Sequence, residues 1–380
     1  MNFDLTENQK LIQDMMKKFA KEVLEPKAAE YDKSTEYPID NIKKLTELGI
    51  MGMIIPEEYG GSGFDFVSLA IAIEEISKAC GSTGVITAVH NSLVCYPILN
   101  FGNEEQKKKY LPKLASGEII GAFGLTEPNA GSDPASMETT AKLVGDYYIL
   151  NGTKRFITSA GKAGVFIVIA ITDKTRGNKG ISAFIVERNS PGFSLGKHED
   201  LMGLRATDNC ELIFEDCKVP KTNLLGQEGQ GFKIALSLLD VSRIDIGAQA
   251  VGIAQGALEK SIQYSKERKQ FGRAICEFEL IQAKLAEMAM KIQAARLLTY
   301  NAAFQKDKGV GRFSQESSMA KLYAATIAVE VTREAVQIFG GYGYSKDYAV
   351  ERYYREAKCL EIYEGTSEIQ KIVIARNLLS

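Results

Sequence analysis

A chain of 380 residues, 45% apolar and 25% charged, has an ordinary globular composition and the length for two or three domains. Its 46 basic and 48 acidic side chains leave a formal charge of −2, which argues against nucleic acid as the main partner. Only His90 and His198 are available beside six cysteines that form no CxxC pair, so the composition points away from a zinc site and toward reduced thiols.

In chain order, Thr6-x-x-Gln9 reads as a capping box. It is followed by Ile12, Met16, Phe19 and Val23 at helical spacing. An amphipathic helix should therefore begin almost at Met1 and end at Pro26. There is no signal-peptide pattern, and no apolar run approaches the eighteen residues or so of a membrane span, so a soluble protein is expected. The helical pattern of 1–117 is broken by a loop at 55–63. It includes two apolar helices, near 66–79 and 84–101, with Gly81-Ser-Thr-Gly84 separating them.

From 118 to 228 the character changes to short strand runs: Tyr147 to Leu150, Val165 to Ile171, Ile181 to Val186 and Glu211 to Phe214. Asn151-Gly152 reads as a hairpin turn, and the spacing suggests an antiparallel barrel or sandwich. From 229 to 380 the chain returns to helix. Ile281, Leu285, Met288, Ile292 and Ala295 form a seam, and a long helix from Ser314 to Phe339 should stop at Gly340-Gly341. Such helices packed antiparallel make a bundle. The fold expected is mainly α, with a central β-domain between an N-terminal helical domain and a C-terminal bundle.

Five segments could carry chemistry. Leu125-Thr-Glu-Pro-Asn-Ala-Gly-Ser-Asp133 offers a hydroxyl and the Gly131-Ser132 amides to an anion, although it equally suits a surface loop. Arg155-Phe-Ile-Thr-Ser159 sets an aromatic beside a hydroxyl, a pair suited to a planar ring, yet a strand Phe is usually core. Lys266-Glu-Arg-Lys-Gln-Phe-Gly272 presents cations for phosphate, or simply for a helix C-terminus. Gln337-Ile-Phe-Gly-Gly-Tyr-Gly-Tyr344 would let a ligand approach backbone, or be an ordinary helix stop. Ile362-Tyr-Glu-Gly-Thr-Ser-Glu368 places Glu364 before a helix that Thr366 or Ser367 can cap. No GxGxxG follows a strand, so a Rossmann site for nicotinamide is not evident.

In order and spacing these five segments resemble the acyl-CoA dehydrogenase family, over essentially the whole chain, and most nearly its short-chain, butyryl-CoA-type branch. The resemblance implies a helical domain, a β-domain and a four-helix C-terminal domain. It also implies one FAD per subunit, a homotetramer, an electron-transfer flavoprotein as electron acceptor, and a cytoplasmic or mitochondrial-matrix location. Carried over, Leu125, Thr126, Gly131 and Ser132 would contact the flavin and its phosphates, with Ser132 also reaching CoA. Phe156, Ile157 and Thr158 would line one flavin face. Arg268, Phe271, Gln337, Gly340 and Gly341 would bind the adenine half, partly across a subunit interface, and Thr366 and Glu368 would also touch FAD. Asp240, Arg243 and Gly365 match substrate contacts, and Glu364 is the expected base that removes the α-proton of a CoA thioester. Its backbone N–H would help to hold the carbonyl oxygen.

Some positions depart from the pattern. Relatives often carry Trp where Phe156 stands and Asn where Ser159 stands. Glu279 replaces a usual Gln, with Gln282 one turn on as a possible substitute cofactor contact. The stretch Leu238-Leu-Asp-Val-Ser-Arg-Ile-Asp245 replaces a Gly-Gly-Arg-Ile-Gly pattern, and bulky Leu238 and Val241 point to a short, branched or alicyclic acyl group. Ser242 stands before Arg243, where other branches of the family carry their base, and a hydroxyl cannot serve as one. The same resemblance also allows an enoyl-CoA reductase, an acyl-CoA oxidase or a non-catalytic CoA- or flavin-binding subunit.

Overall fold

The computed structural model describes residues 4–379, so the expected helix start at Met1 lies outside them. The first helix, α1, is Glu7–Phe19. Thr6 Oγ1 accepts from the Gln9 N–H while Gln9 Oε1 accepts from the Thr6 N–H, which is the expected capping box. Ile12 and Met16 turn inward. The helix does not end at Pro26. It passes through a π-helical segment, Ala20–Leu24, into α2, Glu25–Ser34, and the wider i→i−5 bonding of that segment, in which the Glu25 N–H donates to the Ala20 carbonyl, lets the helix run on past Pro26.

Next come α3 (Ile39–Glu47), α4 (Phe66–Ala79), α5 (Gly81–Ala88), α6 (Tyr96–Phe101) and α7 (Glu104–Ala115). Asp65 caps α4 by accepting from the Ser68 N–H. The Gly81-Ser-Thr-Gly84 run does not separate two helices; it is the first turn of α5, and the break lies at Cys80, whose φ of −148° is extended. A second π-helical segment, Val89–Cys95, joins α5 to α6. Gly81 is needed because a Cβ there would stand 2.7 Å from Glu356 Oε2 and 3.0 Å from Leu204 Cδ2.

The strands are β1 (Gly121–Gly124), β2 (Thr140–Val144), β3 (Tyr147–Ile157), β4 (Val165–Ile171), β5 (Ile181–Glu187), β6 (Phe193–His198), β7 (Cys210–Pro220) and β8 (Leu224–Leu225). They form one sheet in the order β6-β7-β3-β2-β4-β5-β8, with β1 paired to β4. The sheet is mixed: β1 and β2 both run parallel to β4, and the other pairs are antiparallel. Asn151-Gly152 is not the hairpin turn. The turn is Gly145-Asp146, flanked by the Val144–Tyr147 pair, with Gly145 at φ 61°. Asn151 and Gly152 lie inside β3 at a register shift, a bulge pinned by Asn151 Nδ2 donating to Asp216 Oδ1 and Asn151 Oδ1 accepting from the Asp216 N–H.

Beyond the sheet run α8 (Gly231–Glu267), a two-stranded ribbon of β9 (Lys269–Gln270) and β10 (Arg273–Ala274), α9 (Glu279–Asp307), α10 (Ser314–Phe339), α11 (Ala349–Leu360) and α12 (Ser367–Leu378). Met288, Ile292 and Ala295 of the predicted seam are buried, with Ile281 and Leu285 packed beside them. The helix from Ser314 stops at Phe339 as expected, with Gly340 at φ 62°. Along β4, Val165, Ile167 and Ile169 join the helical core, while Phe166, Val168 and Ala170 join a separate core inside the sheet. Among the described residues, no helix is long and apolar enough to cross a membrane.

Candidate active site

Glu364 lies in the short loop between α11 and α12 at φ 55°, a left-handed conformation that a residue with a side chain holds only when its surroundings impose it. The surroundings are dense. Arg243 Nε donates to the Glu364 carbonyl at 3.4 Å, and Gln370 Nε2 donates to the carbonyls of Glu364 at 3.1 Å and Gly365 at 2.8 Å. Lys321 Nζ, fully buried on α10, donates to the Gly365 carbonyl at 2.7 Å. Gly365 has φ 94°, and a Cβ there would stand 2.7 Å from Gln370 Nε2. Tyr363 donates its hydroxyl to Gln249 Oε1 on α8. Thr366 caps α12 by accepting from the Ile369 N–H. Among the described residues, the Glu364 N–H donates no hydrogen bond.

The side chain meets α8. Ser242 Oγ donates to Glu364 Oε2 at 2.7 Å. Desolvation holds the carboxyl above its ordinary pKa, against that hydrogen bond and the positive charges of Arg243 and Lys321, which pull it down. Desolvation also brings Lys321 down to about 8. A half-buried carboxylate with a raised pKa, no competing ion pair and a free amide beside it is suited to taking a proton from carbon. Arg243 is itself buried and engaged, donating to Asp240 Oδ1 at 2.8 Å and Ser318 Oγ at 3.4 Å, while Ser314 donates to the other Asp240 oxygen. These two expected substrate contacts therefore brace the loop from beneath.

The second group of expected residues is on the sheet. Phe156, at φ 59° beside a register shift at the end of β3, is 53% exposed, contrary to what a strand Phe usually does. Ile157 points the other way, its side chain in the sheet core. Leu125, Thr126 and Thr158 are half-buried and Gly131 and Ser132 exposed. Their loop is held by a pair that sequence reasoning passed over. Fully buried Lys154 donates to Glu127 Oε1 at 2.7 Å and to the Leu125 carbonyl at 3.0 Å, and Glu127 also accepts from the Thr139 N–H at 3.0 Å. The Arg155 N–H donates to the Thr126 carbonyl at 2.8 Å. The turn after Thr158 and the Glu364 loop are tied to one place, the start of α5. Ser159 N–H donates to the Thr207 carbonyl, Ala206 N–H to Ser82 Oγ, and Gln249 Nε2 to the Gly81 carbonyl while its Oε1 accepts from Tyr363.

The third group gathers at the far end of the bundle. Arg268, Phe271, Gly340 and Gly341 line a cleft of about 640 Å³ with Tyr264, Phe339 and Tyr342. Phe271 is 95% exposed at φ 51°. Gln337 is exposed and Gln282 faces away, its amide donating to the Cys276 carbonyl at 2.9 Å. Glu279 begins α9 and Glu368 lies in the first turn of α12, both exposed. From Arg243 to Arg268 along α8 is roughly 37 Å at 1.5 Å per residue, so cleft and crevice are separate sites within one chain. Exposed aromatic faces, a cation and glycine backbone fit a flat heterocycle with phosphates.

Sequence reasoning also missed how Ser242, Lys321 and Gln249 act. The signal was available: a lone Lys in an alanine-rich helix, and Ser242, Asp245 and Gln249 stepping by three and four through an apolar one. His198 Nδ1 lies 2.9 Å from Asp208 Oδ1 and 3.2 Å from Cys210 Sγ at the edge of the sheet, distances that hydrogen bonds account for.

Comparison with known proteins covers nearly the whole chain. Residues 6–118, 122–217 and 229–379 match, in turn, the N-terminal, middle and C-terminal domains of acyl-CoA dehydrogenase. The short-chain specific acyl-CoA dehydrogenase of Clostridium acetobutylicum is 51% identical over 375 residues, 99% of each chain. Acryloyl-CoA reductase (NADH) of Anaerotignum propionicum is 49% identical over 381 residues, 100% of this chain and 96% of the other. A chain in the solved structure of the electron transferring flavoprotein of Acidaminococcus fermentans is 52% identical, with a TM-score of 0.98 and 100% of both chains covered.

Proposed function

The chain belongs to the acyl-CoA dehydrogenase family of FAD-dependent oxidoreductases, and on that premise we propose that it catalyses α,β-dehydrogenation of a short acyl-CoA thioester with Glu364 as the base. The observation that carries this reading is Glu364 itself: a desolvated carboxyl on a left-handed turn, oriented by Ser242, with its own N–H uncommitted. That N–H is the donor the chain can offer to the thioester carbonyl oxygen. One such donor typically contributes about 3–4 kcal/mol to an enolate-like transition state. Leu125, Thr126, Gly131, Ser132, Phe156 and Thr158 would hold FAD near the base, with Thr366 and Glu368 adding to that set. When bound, FAD supplies the acceptor for the β-hydride. The remaining work of the chain is to exclude water and hold Glu364 in register with the sheet through the start of α5.

The cleft at Arg268, Phe271, Gly340 and Gly341, with Gln337 exposed on α10 just before it, lies too far along α8 to serve the same flavin. In our reading it receives the adenine half of a flavin held by a neighbouring copy, which makes the enzyme a homo-oligomer, a tetramer in the form the family resemblance implies. Leu280, Met290, Leu297 and Phe304, all exposed on α9, give such a neighbour an apolar face to cover. The likeness to short-chain relatives supports a short acyl group, while Leu238 and Val241, whose bulk pointed to a branched or alicyclic one, are packed in the helical core. The likeness to a chain from an electron transferring flavoprotein structure supports such a flavoprotein as redox partner. A second direction of the same chemistry, reduction of an enoyl-CoA, is favoured by the similarity to acryloyl-CoA reductase.

Anaerobic addition of butyryl-CoA to the flavin-loaded protein tests the proposal. Bleaching of the flavin is expected. A folded, flavin-loaded protein that no acyl-CoA of any length bleaches would refute it.

A further inference from the structure

Three residues beyond Ser242, α8 carries Asp245, which is fully buried. Its Oδ2 accepts from Ser92 Oγ in the π-helical segment before α6, while Oδ1 has no hydrogen-bond partner among the described residues. Buried carboxylate oxygens are almost always paired, so the lone oxygen has unused capacity for a further hydrogen bond.

Its position says with what. Ser242, Asp245 and Gln249 share one face of α8, and the first and last of them bond Glu364 and Tyr363. Asp245 therefore sits between the two contacts of the catalytic loop, and it lies in the field of the Glu364 carboxylate. Burial, and to a lesser degree that charge, hold the Asp245 carboxyl well above the usual carboxylate range. Along this face of α8 solvent reaches one end, where the Asp240 side chain is 22% exposed, and not the other, where Ser92 and Asp245 are buried. On the thioester reading a bulky CoA lies toward the exposed end, which directs the acyl chain toward Asp245, about one helical turn past Ser242.

Resting on the thioester reading of this crevice, we infer that Asp245 is a specificity-determining residue that pairs with a hydrogen-bond donor, a hydroxyl or an ammonium, at the far end of a short acyl chain. An apolar chain end leaves Oδ1 unpaired. A site built around a buried polar group rejects an analogue lacking the partner far more strongly than an apolar pocket rejects one methylene. The two donors differ in what they ask of Asp245: an ammonium needs a carboxylate, whereas a hydroxyl pairs with either protonation state.

The test is kcat/KM of the flavin-loaded enzyme, with a dye acceptor, on butyryl-, 4-hydroxybutyryl- and 4-aminobutyryl-CoA. Wild type should prefer one polar substrate over butyryl-CoA by at least about tenfold. Asp245→Ala should abolish that preference and raise the rate on butyryl-CoA. Asp245→Asn, nearly isosteric and so assayable even if the alanine variant folds poorly, should keep a hydroxyl preference and lose an ammonium one. Butyryl-CoA equalling or exceeding both polar substrates in wild type, or a polar preference that survives Asp245→Ala, overturns the inference. If butyryl-CoA is turned over and Asp245 has no effect, only this assignment falls; if no acyl-CoA reduces the flavin, the thioester reading falls with it.

Discussion

Along one helix the molecule carries two recesses of opposite construction. The crevice at Ser242 and Arg243 is closed by side chains from α8, α10 and α12, and almost every polar atom in it has a partner. The cleft at Arg268 is open, lined by stacked aromatics, and has Phe271 standing in solvent. Tyr264 and Phe339 stack at 4.0 Å between ring centroids, and the Arg268 guanidinium lies 5.4 Å from the Tyr342 ring. The polar contacts of the first recess are all supplied from within the chain. The second is open to solvent and lined by aromatic faces, a cation and glycine backbone. On the proposed reading, a single sequence carries a complete reaction site and half of a ligand site some tens of ångströms apart.

Substitutions should separate these two characters. Glu364→Gln should strike the crevice hardest, lowering the rate of flavin reduction by about 10²–10⁴-fold or more, since a general base is lost. Substrate should still bind and perturb the flavin spectrum, because size and the backbone donor are kept. Stopped-flow reduction at near wild-type speed would move the base elsewhere. Arg268→Ala or Phe271→Ala should do the reverse, weakening flavin retention about tenfold or more while leaving the chemistry of any flavin still bound intact. Flavin content after gel filtration measures it, and a fully loaded variant would mean that the cleft has another ligand.

Ser242→Ala is a subtler probe of the crevice. Its hydroxyl donates to the ionised form of Glu364 and so lowers the pKa of that carboxyl. Removing it should raise the pKa further, so the acid limb of kcat/KM moves to higher pH, with less than about a tenfold loss at the optimum. An unmoved limb would show that Ser242 does not tune the base. The smallest effect should come from Gln282→Ala. Its amide is bonded to the Cys276 carbonyl and points out of the cleft, so flavin affinity should stay within about twofold.

Local signals read well from the sequence. The Thr6 capping box, the seam of α9 and the stop at Gly340 each depend on neighbours three or four residues away, and each is present in the fold. Pairings between distant segments did not read. Asn151-Gly152 carries the strongest hairpin signature in the chain, but β7 takes it into a long strand and the turn falls on Gly145-Asp146 instead. Pro26 terminates nothing, because the π-helical segment before it absorbs the missing bond. Glu364, the proposed base, could be singled out because it sits in a distinctive motif. Its regulators were not, because Ser242 is 122 positions away and Lys321 reaches the loop through a carbonyl. The clamp of Lys154 on Glu127 spans 27 residues and looks, in sequence, like two ordinary surface charges.

Strand β4 has a consequence for how the molecule comes apart. Its odd-numbered residues from Val165 to Ile169 belong to the helical core and its even-numbered ones from Phe166 to Ala170 to the core of the sheet. A slip of one residue would swap the two sets, putting phenylalanine where isoleucine packs and leaving neither interior filled. The sheet cannot shed its helices without exposing Val165, Ile167 and Ile169, and the helices cannot shed the sheet without losing the same three side chains. The β4 amides should therefore be among the last to exchange in deuterated water, and the central β-region should melt with the helical layers as one cooperative unit although each has an interior of its own.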